Sequence, residues 1–285
     1  MMYDGENKIA TIGDLSDRLC AMFPAKHAEK WDRTGLLAGD RTRHVTKVAI
    51  ALDPTREAVS EAAAQGANCL VTHHPAFLSV PDSFTPDMTA SGVGAVVYDA
   101  IRADVSLINY HTALDVSAEA YEMLPRKLGL IPYDILEPIG PSTKDGQEVL
   151  GYGQMCRIAQ PSETITLDDL AILCESTFHR TPRVWGSADS AVQSVCTWTG
   201  SVGDSWKTCI DKRIDALICG EIKYHAALEA SSCGLGIIEL GHDVSELPFV
   251  ALLAHAVASC GIPDSNIIQL NQESNWHHPN SRRVK

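Results

Sequence analysis

The feature that most constrains the fold is an alternation of short, apolar, β-branched segments with helix-length segments. From residue 45, VTKVAIALD reads as a strand, and TREAVSEAAAQG follows it with a Thr start, a helix-forming interior and a Gly stop. ANCLVTHHP is a strand halted by Pro75, ASGVGAVVYDAIRA a helix, and VSLINYHTALD a strand running into a loop. SAEAYEMLPRKLG is a helix whose last part Pro125 begins or kinks. Residues 131–150 contain three Pro and two Gly with no period, which marks a linker between lobes. A second alternating series runs from GYGQMCRIA to LGIIELGH, then a long apolar helix, SELPFVALLAHAVASCG, and a short strand, SNIIQLN. Strands spaced this way predict parallel βαβ units and an α/β fold. LVTHHP and LICGEIKYH fall at similar places in the two series, which hints at a duplicated unit. The polar tail NQESNWHHPNSRRVK is expected to fray.

Composition excludes several classes. The 285 residues include 36 acidic and 23 basic ones, a net charge of −13, which repels phosphate backbones at long range. Nucleic acid is therefore not an expected partner. Nine cysteines occur without a C-x-x-C pair or a repeated spacing, so the chain reads as carrying reduced, buried thiols rather than disulfides or a zinc knuckle. The N-terminus lacks a secretory pattern. LPFVALLAHAVASC is too short to span a bilayer and carries His255, so it reads as a core helix. These features predict a cytoplasmic protein with no membrane partner.

The sharpest local feature is Thr72-His73-His74-Pro75 at the end of an apolar strand. Open α/β sheets place ligands at the carboxyl ends of their strands. Adjacent strand residues point to opposite faces, so two neighbouring histidines serve two metals better than one once Pro75 breaks the regularity. Other strand ends add Asp53, which also fits a helix cap, the pair His111 and Asp115, and the pair His242 and Glu246. On an extended strand His111 and Asp115 would lie ~13 Å apart, so both reach one site only if the chain turns between them. Imidazoles and carboxylates without thiolates are the usual chemistry of hydrolytic dinuclear sites.

WDRTGLLAGD (31–40), ALDPT (51–55), LVTHHP (70–75), NYHTALD (109–115), ICGEIKYH (218–225) and ELGHDVSE (239–246) resemble, in order, the successive motifs of the Nif-three-like family. Its members commonly carry the name GTP cyclohydrolase I type 2 homolog. The resemblance covers residues 11 to 271 and implies two interlinked αβ lobes with a dinuclear metal centre in the cleft between them. It places the first lobe at 1–130 plus 245–285 and the second at 131–244, the short form without an inserted domain. By the family pattern, His74 and Asp115 bind one metal, His73 and His242 the other, and Glu246 bridges them. His111 is then a group beside the pair, able to carry a proton, and Trp31, Asp32, Lys223 and His225 are substrate-side residues. Two divalent ions per chain are implied, with Zn, Fe, Mn, Ni or Co all compatible with these ligands. Family members assemble as homohexameric rings built from dimers. The chain departs from the family in TWTGSVGDSW, where Trp198 and Trp206 add bulk to a usually Gly-rich stretch. Read alone, Gly200-Ser-Val-Gly203 is a turn or a weak phosphate-loop candidate.

Two functions are compatible with these residues. The first is a metal-dependent hydrolase of a nucleotide or another small phosphorylated or heterocyclic substrate, with His111 and Glu246 in catalysis. The second is a non-catalytic regulatory protein that binds metal and a ligand or partner.

Overall fold

The computed structural model describes residues 10–87, 92–139, 150–158, 165–273 and 276. Strands β1 (Gly35–Ala38), β2 (Val48–Ala51), β3 (Cys69–Thr72) and β4 (Ser106–Asn109) come first. They are followed by β5 (Leu130–Pro138), β6 (Gly151–Ile158), β7 (Ile165–Thr166), β8 (Arg183–Trp185), β9 (Ala191–Val192) and β10 (Ser194–Ser201). The last are β11 (Ala216–Glu221), β12 (Gly236–Glu239) and β13 (Ile267–Gln269). The chain divides into two compact units: Met1–Leu19, Gly35–Asn109 and Leu253–Lys285 form the first, and Cys20–Thr34 and Tyr110–Leu252 the second. Residues 20–34 and 110–130, placed in the first lobe from the sequence, thus belong to the second unit, and 245–252 also stay with it.

The first unit holds a five-stranded sheet of order β1-β4-β3-β2-β13. β13, β2, β3 and β4 run parallel, and β1 pairs antiparallel to β4. Every residue of β2, β3 and β4 is buried, as expected of parallel strands covered on both faces. Ala49, Ala51, Leu70 and Leu107 share one apolar cluster with Val59 and Ala62 of the helix Arg56–Ala64 and Val96 and Ala100 of the helix Gly92–Arg102. The Thr55 side chain accepts from Ala58 N, so Thr55 is the cap of the first of these helices and Asp53 is released from that role.

The second unit holds a six-stranded sheet of order β5-β6-β10-β11-β12-β8 and a small β7-β9 pair. β10 pairs parallel with β11 and β11 with β12, whereas the β5–β6, β6–β10 and β12–β8 pairings are antiparallel. Alternate residues serve its two faces. Cys196, Trp198, Leu217, Cys219 and Ile237 pack with Trp206, Cys209, Ala227 and Ala230, whereas Cys156, Val195, Ala216, Ile218 and Ile238 pack with Leu167, Leu170 and Cys174.

The linker expected over 131–150 is corrected for its first part. Residues through Pro138 continue β5, which pairs antiparallel with β6. Pro132 and Pro138 are tolerated because β5 is an edge strand, and the ladder register shifts between Pro132 and Asp134. Residues 140–149 of that segment lie outside the described residues, as does most of the C-terminal tail. Gln272, near the start of that tail, is buried. Among the described residues no helix is long and apolar enough to cross a membrane.

The parallel triples β2-β3-β4 and β10-β11-β12 follow one plan. Each is strand, helix, strand, helix, strand, and a short helical turn follows: Thr112–Asp115 after β4 and His242–Glu246 after β12. His111 and Asp115 stand at i and i+4 around the first turn, His242 and Glu246 at i and i+4 in the second. The duplication hinted at by LVTHHP and LICGEIKYH therefore extends to a His-x-x-x-acid pair after each third strand.

The helix Leu167–Phe178 opens with a reciprocal capping box between Thr166 and Asp169. Thr166→Ala should lower unfolding free energy by about 1 kcal/mol. Urea denaturation followed by circular dichroism checks it, and an unchanged midpoint would contradict the role given to the cap.

Candidate metal centre

In the second unit, Glu246 is buried at the end of its short helix, and its carboxylate Oε2 lies 3.1 Å from His242 Nε2. Asp115 and Glu246 also present ligand oxygens within 4.8 Å of each other. Histidine and carboxylate atoms gathered this closely could hold a metal ion.

The space for that carboxylate is made by a missing side chain. A Cβ on Gly200 would fall 2.2 Å from Glu246 Oε1 and 3.4 Å from His242 Nε2. Gly200 also has a φ of +60°, a conformation glycine adopts at little cost. It sits where the register of β10 against β11 slips, between Trp198 and Ser201. Its N–H donates to Ser245 Oγ at 2.9 Å, and Ser245 Oγ donates to the His242 carbonyl at 2.9 Å. Gly220 clears room for the same serine, since a Cβ there would be 2.5 Å from Ser245 Oγ. Thr199 Oγ1 donates to Asp115 Oδ1 at 3.3 Å, and Glu221 Oε2 lies 3.5 Å from His242 Nδ1.

His111 stands at the start of its turn, with Leu114 N and Asp115 N both donating to its carbonyl at 2.8 and 3.1 Å. The chain thus turns between His111 and Asp115, as one shared site requires. Asp32, expected on the substrate side, instead has a fully buried carboxylate. It accepts from His111 Nδ1 at 3.0 Å, Thr112 N at 2.9 Å and Thr112 Oγ1 at 2.5 Å. Burial alone would raise its pKa, but the hydrogen bonds from His111 and Thr112 outweigh it and hold the carboxyl below its ordinary value. An ionised Asp32 only accepts, so Nδ1 carries the proton and the lone pair of a neutral His111 resides on Nε2. Trp31, 56% exposed, meets the His111 ring edge-on at a centroid distance of 5.7 Å.

In the first unit, His73 and His74 follow β3, and their ligand nitrogens lie within 4.8 Å of each other. His73 is buried, and its N–H donates to the Ala51 carbonyl at 3.3 Å. His74 Nδ1 donates to Asp53 Oδ1 at 2.7 Å. Asp53 therefore engages the histidine rather than a helix terminus.

Other expectations fare differently. Lys223 and His225 are exposed at the beginning of the helix Tyr224–Ser232, and His225 packs its ring on Tyr224. Trp198 and Trp206 are core residues, and Trp198 stacks on Tyr152. Gly200 is no phosphate loop, because its N–H is committed to Ser245. The thiols stay out of the donor set: eight of the nine are buried or partly buried, and burial pushes Cys69 and Cys174 up to about 12. Sequence reasoning passed over Gly220, Thr199, Ser245 and Gln272, since small or neutral residues at strand ends carry no metal-ligand signature.

Gly200→Ala should displace the Glu246 carboxylate and reduce metal retention by about tenfold or more, in the manner of a lost supporting contact. Equilibrium dialysis against a metal buffer reads it, and an alanine variant with full metal affinity would show that the cradle is unnecessary.

Comparisons with known proteins bear on the family and the fold. A family model described as Duf34/NIF3 (NGG1p interacting factor 3) matches residues 10–275. A Streptomyces coelicolor protein named GTP cyclohydrolase 1 type 2 homolog is 27% identical over 245 residues, covering 85% of this chain and 83% of the relative. Over 120 residues a Staphylococcus aureus protein of the same name reaches 39% identity, covering 42% of this chain and 32% of its own. Among solved structures, a Staphylococcus aureus hypothetical protein superposes with a TM-score of 0.82 at 24% identity, covering 96% of this chain and all 100% of that one. A Bacillus cereus protein related to NIF3 gives 0.80 at 20% identity, covering 94% and 98%. Reduced HcgD from Methanocaldococcus jannaschii gives 0.74 at 20% identity, covering 92% and 98%. With a family model spanning nearly the whole chain and these folds behind it, the protein belongs to the DUF34/NIF3 family.

Proposed function

We propose that the chain is a metal-dependent hydrolase of a nucleotide or another small phosphorylated or heterocyclic substrate, working through a dinuclear centre. The observation that carries this reading is the setting of Glu246: a buried carboxylate, given room by Gly200, with His242 and Asp115 both at its oxygens. In this assignment Glu246 would help to hold both ions. His74 and Asp115 complete one position, His73 and His242 the other, and Zn, Fe, Mn, Ni or Co suits the set. Two divalent ions held by such ligands supply Lewis-acid polarisation and lower the pKa of water.

The residues of the chain supply the rest. His111, with Nδ1 tied to Asp32, keeps Nε2 for proton exchange with the leaving atom. Asp32 orients the ring. Trp31 offers an aromatic surface beside His111, which suits a planar heterocycle. The names of the relatives make guanosine triphosphate the first substrate to test. We also propose that the chain assembles as a hexameric ring of dimers; exposed apolar side chains such as Ile101, Ile131 and Ile172 support burial against other copies. Light scattering at micromolar concentration tests that, and a monomer contradicts it.

Metal-free protein reconstituted and measured by elemental analysis should hold about two divalent ions per chain. Glu246→Ala should weaken both, whereas His73→Ala and His74→Ala should each weaken a different one. Fewer than about half an ion in the wild type, against that expectation, would sink the dinuclear assignment.

His111→Ala should keep its metal and lose on the order of a hundredfold in turnover, the ordinary worth of a positioned acid-base group. Metal content and turnover are read on one preparation against guanosine triphosphate and model phosphoesters. Loss of metal would make His111 a ligand instead of a proton carrier. Full metal with no turnover in the wild type would favour the regulatory binding protein.

A further inference from the structure

Gln272 lies three residues beyond β13 in a stretch whose composition suggests a frayed tail, yet it is only 6% exposed. Its side chain makes three hydrogen bonds to the chain just after β2. Oε1 accepts from Leu52 N at 2.8 Å and from Asp53 N at 2.9 Å, and Nε2 donates to the Asp53 carbonyl at 2.9 Å. This uses both ends of the amide, so its orientation follows from the bonding pattern. The reach is set by the sheet: β13 pairs parallel to β2 with Gln269 opposite Ile50, and Leu270 N donates to the Ile50 carbonyl at 2.9 Å. The chain leaves β13 alongside the end of β2 and brings Gln272 onto its last residues.

What those bonds hold is Asp53. With Thr55 capping the following helix, the Asp53 carboxylate turns to His74 Nδ1 at 2.7 Å. An ionised carboxylate accepts only, so His74 carries its proton on Nδ1 and its lone pair on Nε2. The His74 backbone is fixed from the same strand end: its N–H donates to the Leu52 carbonyl at 3.0 Å, and its carbonyl accepts from Thr72 Oγ1 at 2.7 Å. Backbone and ring of His74 are therefore both referred to residues 52 and 53, and Gln272 clamps both of these.

We propose that Gln272 and Asp53 act in series as positioning residues that fix His74 as an Nε2 metal ligand, so that a residue after the last strand sets the affinity of one metal position. The inference rests on the reading of His74 as a ligand given above. Asp53 does this through charge and direction, and Gln272 through the backbone that aims Asp53. Supporting partners of this kind are commonly worth roughly 10–100-fold in metal affinity.

The test is a titration of metal-free, full-length protein with Zn²⁺ against a chromophoric chelator, with thermal melting on the same samples. Gln272→Met and Asp53→Ala should each weaken one of two Zn²⁺ positions by about tenfold or more, and the other position should keep its affinity. Asp53→Asn, which retains an oxygen acceptor, should recover part of the loss. In the double variant the loss should be no larger than for Asp53→Ala alone, the signature of one chain of action rather than two. A merely structural glutamine would lower the melting temperature and leave both Zn²⁺ affinities intact, which overturns the proposal. So would equal weakening of both positions, or losses that multiply in the double variant. Should Gln272→Met fail to fold, Gln272→Glu keeps the acceptor to Leu52 and Asp53 N–H and loses only the donor to the Asp53 carbonyl, so it should weaken the same single position by less than Asp53→Ala; weakening of both positions, or a loss as large as that of Asp53→Ala, overturns the proposal. A wild type that takes up no Zn²⁺ refutes the dinuclear reading itself, an outcome distinct from unaffected variants of a wild type that does.

Discussion

Three of the imidazoles singled out here turn Nδ1 toward a carboxylate: His74 to Asp53 at 2.7 Å, His111 to Asp32 at 3.0 Å and His242 to Glu221 at 3.5 Å. This interaction determines the chemical character of the candidate site. Asp53 and Asp32 each accept a ring N–H, select the tautomer and move the lone pair to Nε2, where a metal or a migrating proton can use it. Asp32 is the most enclosed of the three, and the hydrogen bonds it accepts keep it ionised despite burial. Glu221 is the most exposed, and its contact with His242 is the longest. The same electrostatic device thus operates at three degrees of solvent screening.

The carboxylates cannot be placed without the strand ends that carry them. A parallel strand delivers its C-terminal residues to one edge, and the helices packed on its faces leave that edge open to chemistry. Asp53 follows β2, the His73–His74 pair follows β3, and Glu221 closes β11. A short helical turn after the third strand of each triple then presents histidine and acid four residues apart, which brings both to the same side of the turn. Close approach has its own requirement, namely backbone without side chains. At Gly200 the β10 ladder slips, φ becomes positive, and the volume a methyl group would fill belongs to Glu246.

Burying several acids and imidazoles in a chain of net charge −13 demands compensation from within. It comes from backbone N–H groups and neutral side chains more than from cations: Thr112 serves Asp32, Thr199 serves Asp115, and Ser245 ties Gly200 to the His242 carbonyl. Polar groups fixed this way need little reorganisation when charge arrives, a property shared by metal sites and proton-transfer sites.

The alternation of strands and helices, the buried parallel core and the candidate ligands at strand ends were legible in the sequence because each rests on local periodicity and residue type. His73 and His74 before a proline, and His-x-x-x-acid after an apolar run, announce themselves without a structure. Other features were decided only by tertiary contacts. Residues 131–138 look like part of a linker because Pro132 and Pro138 break local pattern, yet they form an edge strand, since an edge needs only half its hydrogen bonds. Trp198 and Trp206 add bulk to a usually Gly-rich stretch, and the structure packs both into the core, Trp198 from the sheet and Trp206 from the helix that follows. Asp32 is expected on the substrate side, and the partners of its carboxylate, Thr112 and His111, lie some eighty residues away. Gln272 has no local signal at all, because its role exists only where β13 lies beside β2. Sequence determines what a residue can do within a few neighbours along the chain, and the pairing of distant strand ends decides which of those capacities is used.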